Sequence, residues 1–302
     1  MLRGVFPPLP TAFTDDRIDD GVMAETVNRL METGLAGVLL LGTNGEASLV
    51  TEAEADHLVT LTRRVVPPGR PLLVGTGRDG TAATIDACRR AGQQGATHAL
   101  VRPPTSYTPL MTQEVLRAHY ARVADASPIP VLLYNQPAVF GPDLAPATVA
   151  SLAAHGNIVG IKDSSGNIAQ VSDVLSRVPP EFDVLTGVAA IMYASLLSGT
   201  SGSVIAVANV VPALCVRLFD FVMAGELHNA LALQRALAPL ARAVTAQYGV
   251  PGLKAAMMLV GHPVMTPRRP LLPAPATAVD EIARLLRTLE EFTQVRLLAV
   301  AS

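Results

Sequence analysis

Lys162 ends the apolar run Ile158-Val159-Gly160-Ile161 and is followed at once by Asp163-Ser164-Ser165. Of the 23 basic residues in the chain, only Lys162 and Lys254 are lysines. Where a positive charge suffices, this sequence writes arginine, so a lysine at the polar end of a buried strand needs a reason. A guanidinium stays protonated and cannot form a Schiff base; a lysine amine can, once burial favours its neutral form. The plainer alternative is a side chain that lays its stem on apolar surface and lifts its charge into water. Tyr134 gives the chemical reading a second member, because it ends Val131-Leu132-Leu133, one apolar run earlier. Neighbouring strands lie about 5 Å apart. A tyrosine hydroxyl and a lysine amine at adjacent strand ends can therefore share a cavity and pass protons through a Schiff-base intermediate. Without Lys162 beside it, Tyr134 would read as a core ring with a hydrogen-bonded hydroxyl.

Gly42-Thr43-Asn44-Gly45 is a third candidate. Its glycines allow close backbone approach, and its N–H groups and hydroxyl can hold an anion such as a carboxylate. It lacks the lysine of a nucleotide loop, and an ordinary turn leading into a helix fits the same residues. Asp163 and Glu46 are possible general bases. A loop-starting aspartate and a glutamate favoured by a helix dipole explain them equally simply. Lys254 competes with Lys162 as a nucleophile, but its place in an all-helical stretch argues against that role. Arg102 either holds a substrate carboxylate or caps a rim.

These residues need a frame that brings strand ends together. Eight short apolar runs supply it: Val5–Pro10, Gly37–Thr43, Pro71–Gly77, His98–Pro104, Ile129–Asn135, Ile158–Asp163, Asp183–Gly187 and Gly202–Asn209. Most are continuous Val/Ile/Leu runs, the pattern of strands covered on both faces of a parallel sheet. Helical segments alternate with them: from Asp20 or Gly21 to about Thr33, from Thr51, Asp79–Gln94, Thr112–Ala126, Pro146–His155, Asn167–Arg177 and Ala189–Ser198. Eight such units, each roughly 25–30 residues long, predict an α/β fold of the (β/α)8 TIM-barrel type. A doubly wound open sheet is the rival, but Val5–Thr14 carries no glycine-rich dinucleotide fingerprint. After Asn209 the pattern turns wholly helical and ends in a long amphipathic helix expected over Val279–Val300. The division expected is a barrel over residues 1–224 and a C-terminal helical extension over 225–302 that packs on it. In such a barrel, working groups stand at the C-terminal ends of strands, where Thr43, Tyr134 and Lys162 all fall.

The net charge of −2 gives no reason to expect a nucleic acid or an anionic membrane as partner. No apolar run reaches the ~20 residues of a membrane span, and the first residues enter a strand with no apolar leader, so a cytoplasmic location is expected. Cys88 and Cys215 form no motif and read as reduced core residues. No cysteine–histidine cluster suggests a metal, and His57, His119 and His228 read as helix-surface residues.

Taken together, Gly42-Thr43-Asn44-Gly45-Glu46, Leu133-Tyr134-Asn135-Gln136-Pro137 and Gly160-Ile161-Lys162-Asp163 resemble the dihydrodipicolinate synthase / N-acetylneuraminate lyase family in order and spacing. Gly202–Asn209 and Gly252-Leu253-Lys254 look like family segments too. The resemblance implies a pyruvate-dependent class I aldolase or lyase on a barrel, a homotetramer built as a dimer of dimers, with small-molecule 2-oxo acid and aldehyde substrates. It implies Lys162 as the Schiff-base lysine, with no metal or organic cofactor, and Tyr134 as the proton-transferring group, directly or through Thr43. Thr43 and Asn44 would bind the pyruvate carboxylate, helped by the backbone at Gly187 and Val204.

The departures carry information as well. Dihydrodipicolinate synthases usually have two threonines where Thr43-Asn44 stands, and an arginine where Val139 stands. They also have a tyrosine pair, one of which reaches a neighbouring subunit's site. Here Thr105-Ser106 takes those places with Tyr107 one step late, so Ser106 and Tyr107 are the substrate-binding candidates on that side. The Thr-Asn turn and Val250-Pro251-Gly252-Leu253-Lys254 look more like the 4-hydroxy-2-oxoglutarate and 2-keto-3-deoxy-sugar-acid aldolase branch. The resemblance thus points to an aldolase releasing pyruvate from a 4-hydroxy-2-oxo acid. The alternatives are a dihydrodipicolinate synthase, a 2-keto-3-deoxy-sugar-acid dehydratase and a silent barrel that only binds a 2-oxo acid.

Overall fold

In the computed structural model, which describes residues 1–299, eight parallel strands close into a TIM barrel ringed by helices. The strands are β1 (Gly4–Phe6), β2 (Val38–Leu40), β3 (Leu72–Gly75), β4 (His98–Val101), β5 (Val131–Asn135), β6 (Ile158–Asp163), β7 (Asp183–Thr186) and β8 (Gly202–Val204). From β2 to β8 each pairs with the next in sequence, and β8 returns to β1. The last gap is closed just beyond β1, where Leu9 N–H donates to Leu39 O at 2.8 Å and Leu39 N–H to Pro7 O at 3.0 Å. The barrel is filled by inward side chains. Phe6, Leu39, Leu73, Leu100, Leu132, Leu185 and Val204 pack on one another, and Tyr134 joins them at the upper end. Filling the lower barrel with leucine leaves the C-terminal strand ends as the place where polar groups meet.

Several strands are shorter than their apolar runs. The run Gly202–Asn209 is a strand only to Val204, because Ala206–Asn209 curls into a 3-10 turn. Val5–Pro10 is likewise a strand only to Phe6, with a single bridge from Pro8 to Leu39 beyond it. Apolar composition marks burial, and a buried turn at a barrel rim carries the same mark as a strand.

The surrounding helices begin where the caps lie. Asp19 accepts from Val22 N–H at 3.0 Å to start the helix Asp20–Met31. Thr51 and Glu54 form a reciprocal capping box for Glu52–Val65. At the far end, the helix expected over Val279–Val300 runs over Ala276–Thr293. Gln294 takes a left-handed φ of 55° and stops it, and Val300 lies outside the described residues. The helices Leu227–Arg242, Gly249–Leu259 and Ala276–Thr293 share one core with the barrel: Leu240, Leu253, Met257 and Ile282 pack in the same cluster as Leu9, Val38 and Leu40. A π-turn over Ala243–Gln247 links the first two of these helices.

His119 corrects an expectation. It sits on the helix Gln113–Ala126 but is buried, not on the surface, with Nδ1 2.9 Å from Thr81 Oγ1. Desolvation, with the nearby Arg102 charge, pulls its imidazole down to about 4, so the ring is neutral at ordinary pH. Cys88 and Cys215 are free and buried. Among the described residues, no helix is long and apolar enough to cross a membrane.

Candidate active site

Parallel pairing puts Tyr134 and Lys162 directly opposite each other on β5 and β6. Lys162 Nζ donates to Tyr134 Oη at 3.1 Å and lies 4.2 Å from the ring centre. The lysine is only 5% exposed. A snorkelling amine would stand in water; this one stands against a tyrosine. Phe140 meets the Tyr134 ring edge-on, with centroids 5.1 Å apart, and fixes its plane.

The third group arrives from β2. Leu41 follows that strand with a left-handed φ of 55°, which turns the chain inward. Its carbonyl passes so close to Gly75 that a Cβ there would stand 1.9 Å away, so β3 must end in glycine. The turn Thr43–Gly45 is thereby brought over the barrel mouth. Thr43 Oγ1 lies 3.2 Å from Tyr134 Oη. It also donates to Gln136 Oε1 at 3.3 Å, and Tyr134 Oη donates to that same oxygen. Lys162, Tyr134, Thr43 and Gln136 thus form one connected network. Gln136 was quoted in the sequence motif without a role; a glutamine at a loop start carries no chemical signature until its partners are known. The N–H groups of Thr43 and Asn44 open the turn with no acceptor among the described residues. A carboxylate placed there would find two free donors beside a hydroxyl.

These groups line one cavity of about 480 Å³ that also reaches Asn44, Gly187 and Val204. Gly187 has spent its N–H on Asp163 O, at 2.6 Å, and offers the site its lack of a side chain. A Cβ there would lie 1.8 Å from Ser164 Oγ and 3.0 Å from Lys162 Cε. We expect Gly187→Ala to displace the lysine and slow its reaction with a 2-oxo acid by about 100-fold, the cost of an ångström-scale misplacement. Borohydride-trapping rates measured beside a circular dichroism spectrum check this; a folded variant with the parental rate would contradict it.

Ser106 and Tyr107 do not line this cavity. Asp79 draws the loop away, accepting from Ser106 Oγ, from Thr105 N–H at 3.1 Å and from Arg102 at 2.9 Å. Burial pushes the Asp79 carboxyl up, but these hydrogen bonds outweigh it and hold it below the usual carboxylate range. Tyr107 is 77% exposed. Arg102 is therefore tied to Asp79, as the rim-capping alternative requires. Asp163 is likewise occupied: Asn135 Nδ2 donates to it at 2.9 Å, and Ser165 N–H and Oγ at 3.0 and 2.6 Å.

Lys254, the competing lysine, is buried against Glu46, with Nζ 2.5 Å from Oε1 and 2.7 Å from Thr266 O. Burial lowers its ammonium from the ordinary lysine value, against the pull of Glu46. It does not line the cavity. Arg242 does, and nothing in the sequence singled it out among so many arginines. It ends the helix Leu227–Arg242, just where the π-turn widens the backbone and brings Thr245 and Ala246 to the same wall. Its guanidinium is exposed and has no acceptor among the described residues. Lys162 and Arg242 are the two basic residues lining the cavity, and the exposed Val139 is part of the same lining.

A model described as the dihydrodipicolinate synthetase family matches residues 1–289. The chain is 34% identical over 297 residues to a 4-hydroxy-tetrahydrodipicolinate synthase of Exiguobacterium sp., covering 98% of this chain and all of that one. It is 31% identical to a protein of Emericella nidulans named probable 4-hydroxy-2-oxoglutarate aldolase, mitochondrial, over 96% of this chain and 95% of the other. Among solved structures, it is similar to YagE from E. coli K12, a prophage protein of the dihydrodipicolinic acid synthase family in complex with pyruvate. The TM-score is 0.91 at 30% identity, over 96% of this chain and 99% of that one.

Proposed function

The chain belongs to the dihydrodipicolinate synthetase family of pyruvate-dependent aldolases and synthases, and from that premise we propose that it is a class I aldolase cleaving a 4-hydroxy-2-oxo acid to pyruvate and an aldehyde. The observation that carries this reading is the Lys162 amine, buried and 3.1 Å from the Tyr134 hydroxyl inside a cavity that also holds Thr43 and Asn44.

The chemistry follows from those positions. The 2-oxo acid lays its carboxylate on the free N–H groups of Thr43 and Asn44. The neutral Lys162 amine adds to C2, and the carbinolamine loses water to give an iminium ion. Tyr134 Oη supplies the proton that lets hydroxide leave as water. The iminium then draws the C3–C4 bonding pair into an enamine while the C4 hydroxyl gives its proton to the tyrosine, directly or through Thr43, and the aldehyde departs. Protonation at C3 and hydrolysis return pyruvate and free Lys162. Gln136, which accepts from both hydroxyls, orients that proton path.

Arg242 supports a substrate with an anionic or hydroxylated far end, because it brings a free cation to a wall that Val139 leaves apolar. Loss of a charge-assisted hydrogen bond costs about 1.5–3 kcal/mol, so Arg242→Met should raise KM for a dicarboxylic 4-hydroxy-2-oxo acid by about 10–100-fold. The concentration of pyruvate that half-saturates trapping should stay unchanged. An unchanged KM across a panel of such acids would remove Arg242 from the site. The same panel, assayed for pyruvate release and set against condensation of pyruvate with aspartate semialdehyde, tests the reaction itself. Most of the similar curated proteins carry the synthase name, which favours condensation as the second reading. Faster turnover with the semialdehyde than with any hydroxy-oxo acid would establish it.

A further inference from the structure

The Glu46–Lys254 pair takes no part in the chemistry, yet it lies at the base of the turn that presents Thr43 and Asn44. Both side chains are 1% exposed. Glu46 holds a left-handed φ of 55°, a conformation that costs a residue with a Cβ energy unless something fixes it. Its carboxylate is fixed at both oxygens, Oε1 by Lys254 Nζ at 2.5 Å and Oε2 by the Arg268 N–H at 2.7 Å. Its N–H closes the turn on Thr43 O at 3.2 Å, and Thr11 Oγ1 holds the Gly45 carbonyl at 2.6 Å. The turn is thus pinned at Gly45 and Glu46, the glutamate by Lys254 and Arg268 of the C-terminal extension.

A buried ion pair is a poor way to gain stability. Its desolvation cost offsets its attraction, and an apolar pair of similar volume often does as well or better. What it supplies here is direction: two oxygens set at fixed places, and with them the twist of residues 43–46.

We propose that Lys254 and Glu46 are positioning residues for 2-oxo acid binding, and that through them the C-terminal extension sets the angle at which the Thr43 and Asn44 N–H groups meet the substrate carboxylate. The proposal rests on the reading of that turn as the carboxylate site. Releasing Glu46 lets the backbone relax toward right-handed angles and turns the two donors off their target, while Lys162 and Tyr134, on rigid strands, stay in place.

The test compares Lys254→Met, Glu46→Gln and the double variant, which leaves no unpaired buried charge. Borohydride trapping is followed against pyruvate concentration, with a thermal melt for each protein. The expected result is a half-saturating pyruvate concentration raised at least about tenfold, with the trapping rate at saturation kept within about threefold. A fall in melting temperature with unchanged half-saturation would assign the pair to stability alone and overturn the proposal. So would failure of all three variants to fold, or a loss confined to the saturating rate. Asn44→Pro, which removes one of the two N–H donors at a position where no intrahelical bond is lost, keeps the two readings apart. If it raises half-saturation and the pair variants do not, the turn still binds the carboxylate and the positioning role falls. If a folded Asn44→Pro also has no effect, the reading of the turn itself falls.

Discussion

Lys162→Ala is expected to abolish turnover and to leave no adduct after borohydride treatment with pyruvate. Removing a nucleophile that carries the covalent intermediate costs about 10⁴–10⁶-fold in kcat, because no other group can stand in for the lost bond. Lys162→Arg should fail to the same extent although it keeps the charge, since a guanidinium does not condense with a ketone. Lys162→Ala should change stability little, because the amine makes one hydrogen bond, to Tyr134, and lines an existing cavity. Turnover in the arginine variant above about one ten-thousandth of the parent would mean that another lysine does the chemistry. Lys254 is the other lysine, and its amine is engaged with Glu46 and Thr266 O outside the cavity.

Tyr134→Phe is expected to lower kcat by about 10²–10⁴-fold, the range for removing a positioned proton-transfer group. The ring would keep its edge-on packing with Phe140, so the cavity should hold its shape. The adduct should still form, slowly, because Lys162 remains; the ratio of trapping rate to turnover then reports which steps the hydroxyl serves. If that ratio is unchanged, the tyrosine acts mainly in forming and hydrolysing the iminium. If turnover falls much further than trapping, it acts in C3–C4 cleavage. An activity within threefold of the parent would mean that Thr43 Oγ1, 3.2 Å from the same hydroxyl, or a water carries the proton alone.

The barrel was legible in the sequence because parallel strands buried on both faces leave continuous apolar runs, and the helices between them announce their starts, as at Thr51. Lys162 and Tyr134 were legible for a related reason: each ends such a run, and strands adjacent in sequence are neighbours in a barrel, so register alone joins them. Gln136 and Arg242 were not. The first acts through two hydroxyls whose approach depends on the left-handed turn at Leu41, and the second depends on a π-turn that no local propensity forecasts. Ser106 and Tyr107 were read as substrate-binding candidates and do not line this chain's cavity, because Asp79, a residue without any motif, gathers their loop. Glu46 and Lys254, each weighed as chemistry when read singly, meet across 208 residues as a buried ion pair.

The account turns on which amine carries the substrate. The enzyme should be incubated with pyruvate, reduced with borohydride, digested and sequenced by mass spectrometry. The predicted result is a single pyruvate-derived addition on Lys162 and on no other residue. An addition on Lys254 or at the N-terminus, or none under conditions that support turnover, would contradict it.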